Sequence, residues 1–196
     1  MPNSGGWRVD TDSADERCRY VFTDPGPALT RLAATITDPR VFIKLCADAD
    51  TLLAALPAGW AIADANCMMV LDGENPPAAL PPGYRVACRT VHGVTHATIV
   101  DAAGELAASG HAAERDGIFA YDRIVTTEPH RRRGLGRVLM ATLGAARRDP
   151  NARQVLTATE MGAALYATLG WRIYAPWTTA RRASEPNDGL SPPPAP

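Results

Sequence analysis

The stretch HRRRGLGRVLMATL, residues 130–143, has the composition that a bound phosphate group requires. A pyrophosphate binds where backbone N–H groups converge, where no side chain blocks them and where the potential is positive. A helix N-terminus supplies the N–H groups and the potential, and Gly134 and Gly136 leave the backbone accessible. Three consecutive arginines add charge. The stretch predicts an anion cradle, although a helix that merely begins with solvated arginines has the same letters.

The neighbouring residues separate these two interpretations. The stretch follows the strand-like segment IVTT and precedes apolar residues at helical spacing. Neither GxxxxGK[ST] nor GxGxxG is present, so the P-loop and the Rossmann fingerprint are both excluded. The formal net charge of −1 gives no general basic field, and we expect no nucleic-acid partner.

A second motif, VLTATEMGAALYATLGW, follows at residues 155–171. R-x-x-G-x-G between a strand and a helix, followed by LYATLGW, resembles the two ordered motifs of the GNAT (Gcn5-related N-acetyltransferase) superfamily. The resemblance covers roughly residues 84–180. It implies an α/β GNAT fold, in which a mixed, mostly antiparallel central sheet is flanked by helices. It also implies acetyl-CoA as cosubstrate and no metal.

The resemblance assigns cofactor contacts to the end of one strand, to the glycine-rich loop and to the start of the last helix. In this chain the matching positions are Ile124, Val125, Thr126, Arg131, Arg132, Arg133, Gly134, Leu135, Gly136, Arg137 and Thr159. Many members carry Asn where this chain has Thr159, so we expect the usual pantetheine contact to be weaker or made differently. His130, which precedes the arginines, is a further candidate for a phosphate contact.

Acetyl transfer to an amine needs a proton donor for the departing thiolate and a means of deprotonating the amine. Within LYATLGW the resemblance makes Tyr166 the general acid, whereas the residues alone fit a core tyrosine equally well. For the base, strand alternation places Asp122 on the same face as Ile124. Glu114 and His111 on the preceding strand are further candidates, and so is an ordered chain of water molecules.

Three functions remain open at this level. The first is acetylation of a primary amine on a small molecule, and the overall layout resembles aminoglycoside 2′-N-acetyltransferases of the kasugamycin-modifying kind, which act in antibiotic resistance. A polycationic sugar would call for carboxylates near the thioester, and Asp122, Glu114 and Asp116 are candidates. The second function is acetylation of a protein N-terminus or lysine, and the third is CoA binding without catalysis.

The 196 residues, 46% of them hydrophobic, suffice for a packed core. We expect a flexible N-terminus over 1–14, a single GNAT domain over 15–182 and a disordered proline-rich tail over 183–196, without internal repeats. Four scattered cysteines and the lack of a signal-peptide pattern or membrane span predict a cytoplasmic protein with buried, reduced cysteines. Homodimerisation is also an expectation.

The sequence also predicts the elements that position these residues. Apolar spacing, prolines, glycines and β-branched runs predict helices, strands and one loop. The predicted helices cover 27–36, 48–56, 135–148 and 161–169, the strands 17–24, 84–91, 95–102, 105–114, 118–127, 153–159 and 171–180, and the loop 74–83.

Overall fold

The computed structural model describes residues 2–3, 5–11 and 13–183, and the chain folds into two compact units. The first unit combines residues 1–66 with 176–196, and the second contains residues 67–175. The single domain expected over 15–182 stays a prediction. Most of the expected tail, residues 184–196, lies outside the described residues.

The first unit contains a mixed sheet and two short helices. Its elements are β1 (Pro2–Asn3), β2 (Gly6–Asp10), β3 (Cys18–Phe22), α1 (Pro27–Thr35), β4 (Val41–Leu45), α2 (Ala49–Ala55) and β5 (Trp60–Leu71). The end of a later strand, β11 (Arg172–Arg182), also belongs to this unit, and the end of β5 belongs to the second unit. The strand order is β1-β2-β3-β4-β11-β5, and β3 and β4 are parallel. Pro27 begins α1, and Asp48 caps α2 by accepting from the Thr51 N–H at 2.8 Å.

The second unit contains the meander that the sequence predicts. Its elements are β6 (Arg85–Val91), β7 (Val94–Val100), β8 (Leu106–Arg115), β9 (Ile118–Thr126), α3 (Leu135–Gly144), β10 (Arg153–Ala158), α4 (Glu160–Ala167) and β11 (Arg172–Arg182). The order is β5-β10-β9-β8-β7-β6, in which β9 and β10 are parallel and the other pairs are antiparallel. The prediction of a mixed, mostly antiparallel sheet with flanking helices is confirmed.

Two hairpin turns of the meander have the backbone that their residues favour. His92 and Gly93 have φ of 50° and 79°, and Asp116 and Gly117 have φ of 51° and 74°. Positive φ at both central residues is the condition for the type I′ turn, whose twist matches the flanking strands. The turn signals HG and RDG therefore predicted the hairpins correctly.

The two units share one order of elements. In the first, β3-α1-β4-α2-β5 begins with a parallel pair, and in the second, β9-α3-β10-α4-β11 does the same. The second strand of each set also pairs antiparallel with a last strand, β4 with β11 and β10 with β5. The two sets agree in topology alone, because their residues do not repeat.

Several other expectations need correction. The end expected to be flexible over 1–14 contains β2, which pairs with β3 over Trp7–Asp10. The strands β4 and β5 lie in segments for which no element was predicted, and α3 ends at Gly144 and not at residue 148. Cys18 is buried as predicted, but Cys88 is exposed on β6.

Candidate active site

The pairing between β9 and β10 ends within the two strands, and we call the unpaired stretch beyond Ala120 and Val155 the β9–β10 cleft. Their parallel ladder joins Arg153 with Ile118 and Val155 with Ala120, and it reaches no further in the part of the chain that the structure describes. On its other edge β9 stays paired with β8 as far as Thr126. The edge of β9 that faces β10 therefore has no ladder bonds after Ala120, and the N–H groups that point to this edge are available to a ligand.

A β-bulge lies in this unpaired segment. The β8–β9 register joins His111 with Asp122 and Ser109 with Val125, so β9 has one residue more than β8 over this span. Arg123 supplies the bulge conformation, with φ of 51°. The extra residue reverses the strand's alternation, because Phe119 and Tyr121 are buried before it and Ile124 packs against the same core after it. Asp122 consequently lies on the face opposite Ile124.

The prediction that Asp122 shares a face with Ile124 and Thr126 is therefore wrong. Period-2 alternation holds only for a strand without a bulge, and nothing in the letters YDRIVT marks this one. The Asp122 side chain is 69% exposed and lies 3.6 Å from the Arg123 guanidinium.

The N-terminus of α3 faces outward with its first N–H groups uncapped by any side chain. Gly134 is the N-cap residue, with φ of 79°, and it makes no side-chain hydrogen bond. A Cβ added to Gly134 would meet nothing within 4 Å, and one added to Gly136 would meet only Leu165 Cδ2 at 3.7 Å. The first turn of a helix has donors without intrahelical acceptors, so this end fits an anion.

The loop residues predicted to contact the cofactor differ in whether their side chains are exposed. The side chains of Arg131, Arg132, Arg133 and Arg137 are exposed, whereas Leu135 is 1% exposed and packs in the core. Leu135 can therefore offer a ligand its backbone N–H alone.

The hydroxyl group of Tyr84 contacts two side chains of the arginine-rich loop. Arg133 Nη1 donates to the Tyr84 hydroxyl at 3.0 Å, and that hydroxyl lies 2.8 Å from His130 Nδ1. His130 Nε2 in turn lies 3.8 Å from Asp101 Oδ2. His130, expected to touch phosphate, thus has both ring nitrogens directed at protein groups. The role of Tyr84 escaped the sequence analysis because 46 residues separate it from His130.

Helix α4 supplies the other two predicted groups. Thr159 is the N-cap, and its hydroxyl accepts from the Gly162 N–H at 3.2 Å. Tyr166 is 8% exposed, and its ring lies 6.1 Å from that of Trp171. Burial raises the pKa of Tyr166 to about 12, so its phenol is protonated at neutral pH.

The three carboxylates expected around the thioester are not brought together. Glu114 pairs in register with Phe119, and it accepts from the backbone N–H groups of Arg148 at 2.7 Å and Asp149 at 3.1 Å. Asp116 lies in the β8–β9 turn, and the strand from Ile118 to Ile124 spans about 20 Å. Only Asp122 lies near the bulge.

Within the described ranges, no group of three or more His, Cys, Asp or Glu side chains is arranged to hold a metal ion. None of the helices that the structure describes is long and apolar enough to cross a membrane.

Solved structures share this fold. A GCN5-related N-acetyltransferase from Kribbella flavida superposes with a TM-score of 0.62 at 16% identity, covering 86% of this chain and 82% of that one. A GCN5-related N-acetyltransferase-like protein from Streptococcus suis 89/1591 gives 0.62 at 12% identity, with coverages of 90% and 88%. A tandem GNAT protein from the clavulanic acid biosynthesis pathway gives 0.56 at 17% identity, with coverages of 75% and 65%.

No protein-family model and no curated protein matches the sequence. The structural likeness shows that the chain has the GNAT fold, as its two motifs predicted.

Proposed function

We propose that the protein is an acetyl-CoA-dependent N-acetyltransferase that acts on a primary amine of a small molecule. The observation that carries the proposal is the β9–β10 cleft beside the uncapped, glycine-bearing N-terminus of α3. The cosubstrate would supply an activated acetyl thioester. The open space at Gly134 and the exposed arginines around it fit the pyrophosphate of such a group.

Each group of the cleft has a part in this proposal. The N–H groups at the start of α3 would hold the pyrophosphate, and Arg131, Arg132 and Arg137 would add charge. Backbone N–H groups of β9 between Ile124 and Thr126 would hold the thioester carbonyl oxygen, where negative charge develops during attack. Tyr166 would give its phenolic proton to the departing sulfur.

For the amine, we keep an aminoglycoside-type antibiotic as the proposed substrate, on the strength of the overall sequence resemblance. Of the three carboxylates expected near a cationic amine, Asp122 alone still supports this substrate. Glu114 accepts from backbone N–H groups beyond α3, and Asp116 pairs with Arg115 in the β8–β9 turn. Acetylation of a protein N-terminus or lysine is the alternative that the same cleft would serve.

Thiol release from acetyl-CoA tests the proposal. Kasugamycin, kanamycin, glucosamine and a lysine-containing peptide would each be offered as acceptor, with product mass measured by mass spectrometry. We expect acetylation of a small-molecule amine and no more than background with the peptide. Binding of CoA without transfer to any amine would favour a non-catalytic CoA-binding protein, and transfer to the peptide alone would favour a protein acetyltransferase.

A further inference from the structure

Four polar residues form a row across the sheet of the second unit. Arg89 of β6 pairs with His96 of β7, His96 with His111 of β8, and His111 with Asp122 of β9. Residues directly opposite each other on antiparallel strands lie side by side on one face of the sheet. The two imidazoles are stacked, with ring centroids 4.4 Å apart and planes inclined by 18°.

This row lies on the sheet face opposite α3. Ala97 and Ala112, which neighbour the two histidines in sequence, belong to the core cluster that includes α3 residues. A Cβ added to Gly110 would lie 3.2 Å from Leu143 of α3. Because side chains alternate along a strand, His96 and His111 point to the other face. Asp122 shares that face, because it follows the buried Tyr121 and pairs with His111.

His111 is the imidazole of this row next to the cleft. Its register partner Asp122 immediately precedes the bulge, and cross-strand partners have Cα atoms about 5 Å apart. The unpaired backbone of Ile124 therefore lies within reach of the His111 side chain. The Nδ1 atom of His111 is buried and makes no hydrogen bond with the described residues, which leaves Nε2 as the nitrogen available to a ligand.

We propose that His111 is the general base that deprotonates the acceptor amine, with the stacked His96 and the adjacent Asp122 as its positioning residues. This inference rests on the proposed acetyl transfer. Nε2 of His111 takes one proton from the ammonium nitrogen, and that nitrogen then bonds to the acetyl carbon as the carbon–sulfur bond breaks. Tyr166 gives its proton to the sulfur, and the second proton that the nitrogen loses restores the phenol.

Burial and the neighbouring charges set the protonation state that a general base needs at His111. Burial, as the main cause, and the neighbouring His96 lower the pKa of His111 from its ordinary value of 6.5, and Arg123 acts in the same direction. Asp122 acts against them and raises the pKa of His111. Arg89 stands at the far end of the row, beside His96. The imidazole is therefore neutral at pH 7 and can accept a proton.

The first test is His111→Gln, with kasugamycin as acceptor or, if another amine of the panel is faster, with that amine. General base catalysis contributes on the order of 100- to 10,000-fold, so we expect kcat/KM for the amine to fall by at least about 100-fold. The acidic limb of its pH profile should disappear, and CoA affinity measured by calorimetry should not change. His92→Asn is the control, because His92 lies in a turn at φ of 50°, which Asn tolerates.

The second test uses the neighbours, whose effects have opposite signs. Asp122→Asn removes the charge that raises the pKa of His111, so the acidic limb should move to lower pH. His96→Gln removes a neighbour that lowers the pKa of His111, so the acidic limb should move to higher pH. NMR titration of the His111 imidazole in both variants should show the same opposite shifts, and it gives a readout should His111→Gln fail to fold.

Each of the following results would overturn a different part of this inference. If His111→Gln acetylates the amine within about twofold of the wild-type rate and keeps the limb, His111 is not the base, although acetyl transfer stands. If the two neighbour variants shift the His111 titration in one direction or not at all, His96 and Asp122 are not its positioning residues. If the wild-type protein binds CoA but acetylates no amine, the proposed function fails and this inference fails with it.

Discussion

At the scale of single residues, Tyr166 meets the requirement of a proton donor. A donor must be protonated at working pH, and burial raises the pKa of Tyr166 to about 12. The buried position that makes Tyr166 a core residue thus also keeps its proton in place. The sequence left open whether Tyr166 is a core residue or the general acid, and one buried side chain can be both. A substitution that keeps the ring but removes the hydroxyl distinguishes the two roles.

Tyr166→Phe should lower kcat by about 100-fold or more, because it deletes the phenolic proton and keeps the aromatic packing. CoA affinity and the denaturation midpoint should change little. The matched control is Tyr20→Phe, another buried tyrosine, in the core of the first unit. Turnover of Tyr166→Phe within about twofold of wild type would mean that another group protonates the sulfur or that a step other than chemistry limits the rate.

The glycine at the start of α3 has an equally specific test. Gly134→Val puts a β-branched side chain at φ of 79°, which costs roughly 1–2 kcal/mol of stability. Gly93→Val makes the same change at φ of 79° in the β6–β7 turn, and both sites are open within 4 Å. Urea denaturation should therefore show similar losses for the two variants, whereas calorimetry should show weakened CoA binding for Gly134→Val alone. Equal CoA affinity in both variants would exclude the cradle.

At the scale of elements, turn chemistry and helical spacing sufficed for most of the second unit. The Gly93 and Gly117 turns, the loop before β6 and the helix after Gly134 all follow from local residue preferences. The bulge at Arg123 does not follow from local residue preferences, because it depends on the register between strands. It places Asp122 on the sheet face opposite Ile124, contrary to the prediction. The strands β4 and β5 were missed because VFIKL is a short apolar run that could equally be part of a helix, and WAIADANCMMVL lacks the clean alternation that identifies the meander.

Glu114 shows how tertiary contacts decide between roles that a sequence cannot separate. Its carboxylate accepts from the Arg148 and Asp149 N–H groups, beyond the end of α3. Glu114→Gln should therefore lower the free energy of unfolding by about 1–2 kcal/mol, because hydrogen bonds to a charged group are the stronger ones. The acidic limb of kcat/KM should stay where it is. A lost limb with unchanged stability would return Glu114 to the list of bases.

At the scale of the whole molecule, the repeated order of elements raises the question of a second CoA site. The chain connects β3 to α1, as it connects β9 to α3, directly before a helix N-terminus. The residues differ, however. The β3–α1 connection reads TDPGP, in which Pro25 and Pro27 have no N–H to donate and Asp24 would repel a phosphate.

We therefore expect each chain to bind a single CoA, through the loop before α3. Isothermal titration with CoA should give a stoichiometry of about one, because a pyrophosphate needs several convergent N–H groups and positive potential. Of the two loops that precede α1 and α3, only the one at residues 130–137 combines glycines with arginines. Gly134→Val should weaken the binding isotherm as a whole, since no second population of sites with wild-type affinity would remain. A stoichiometry near two, or a residual isotherm of about half the wild-type amplitude in Gly134→Val, would place a second nucleotide site in the first unit.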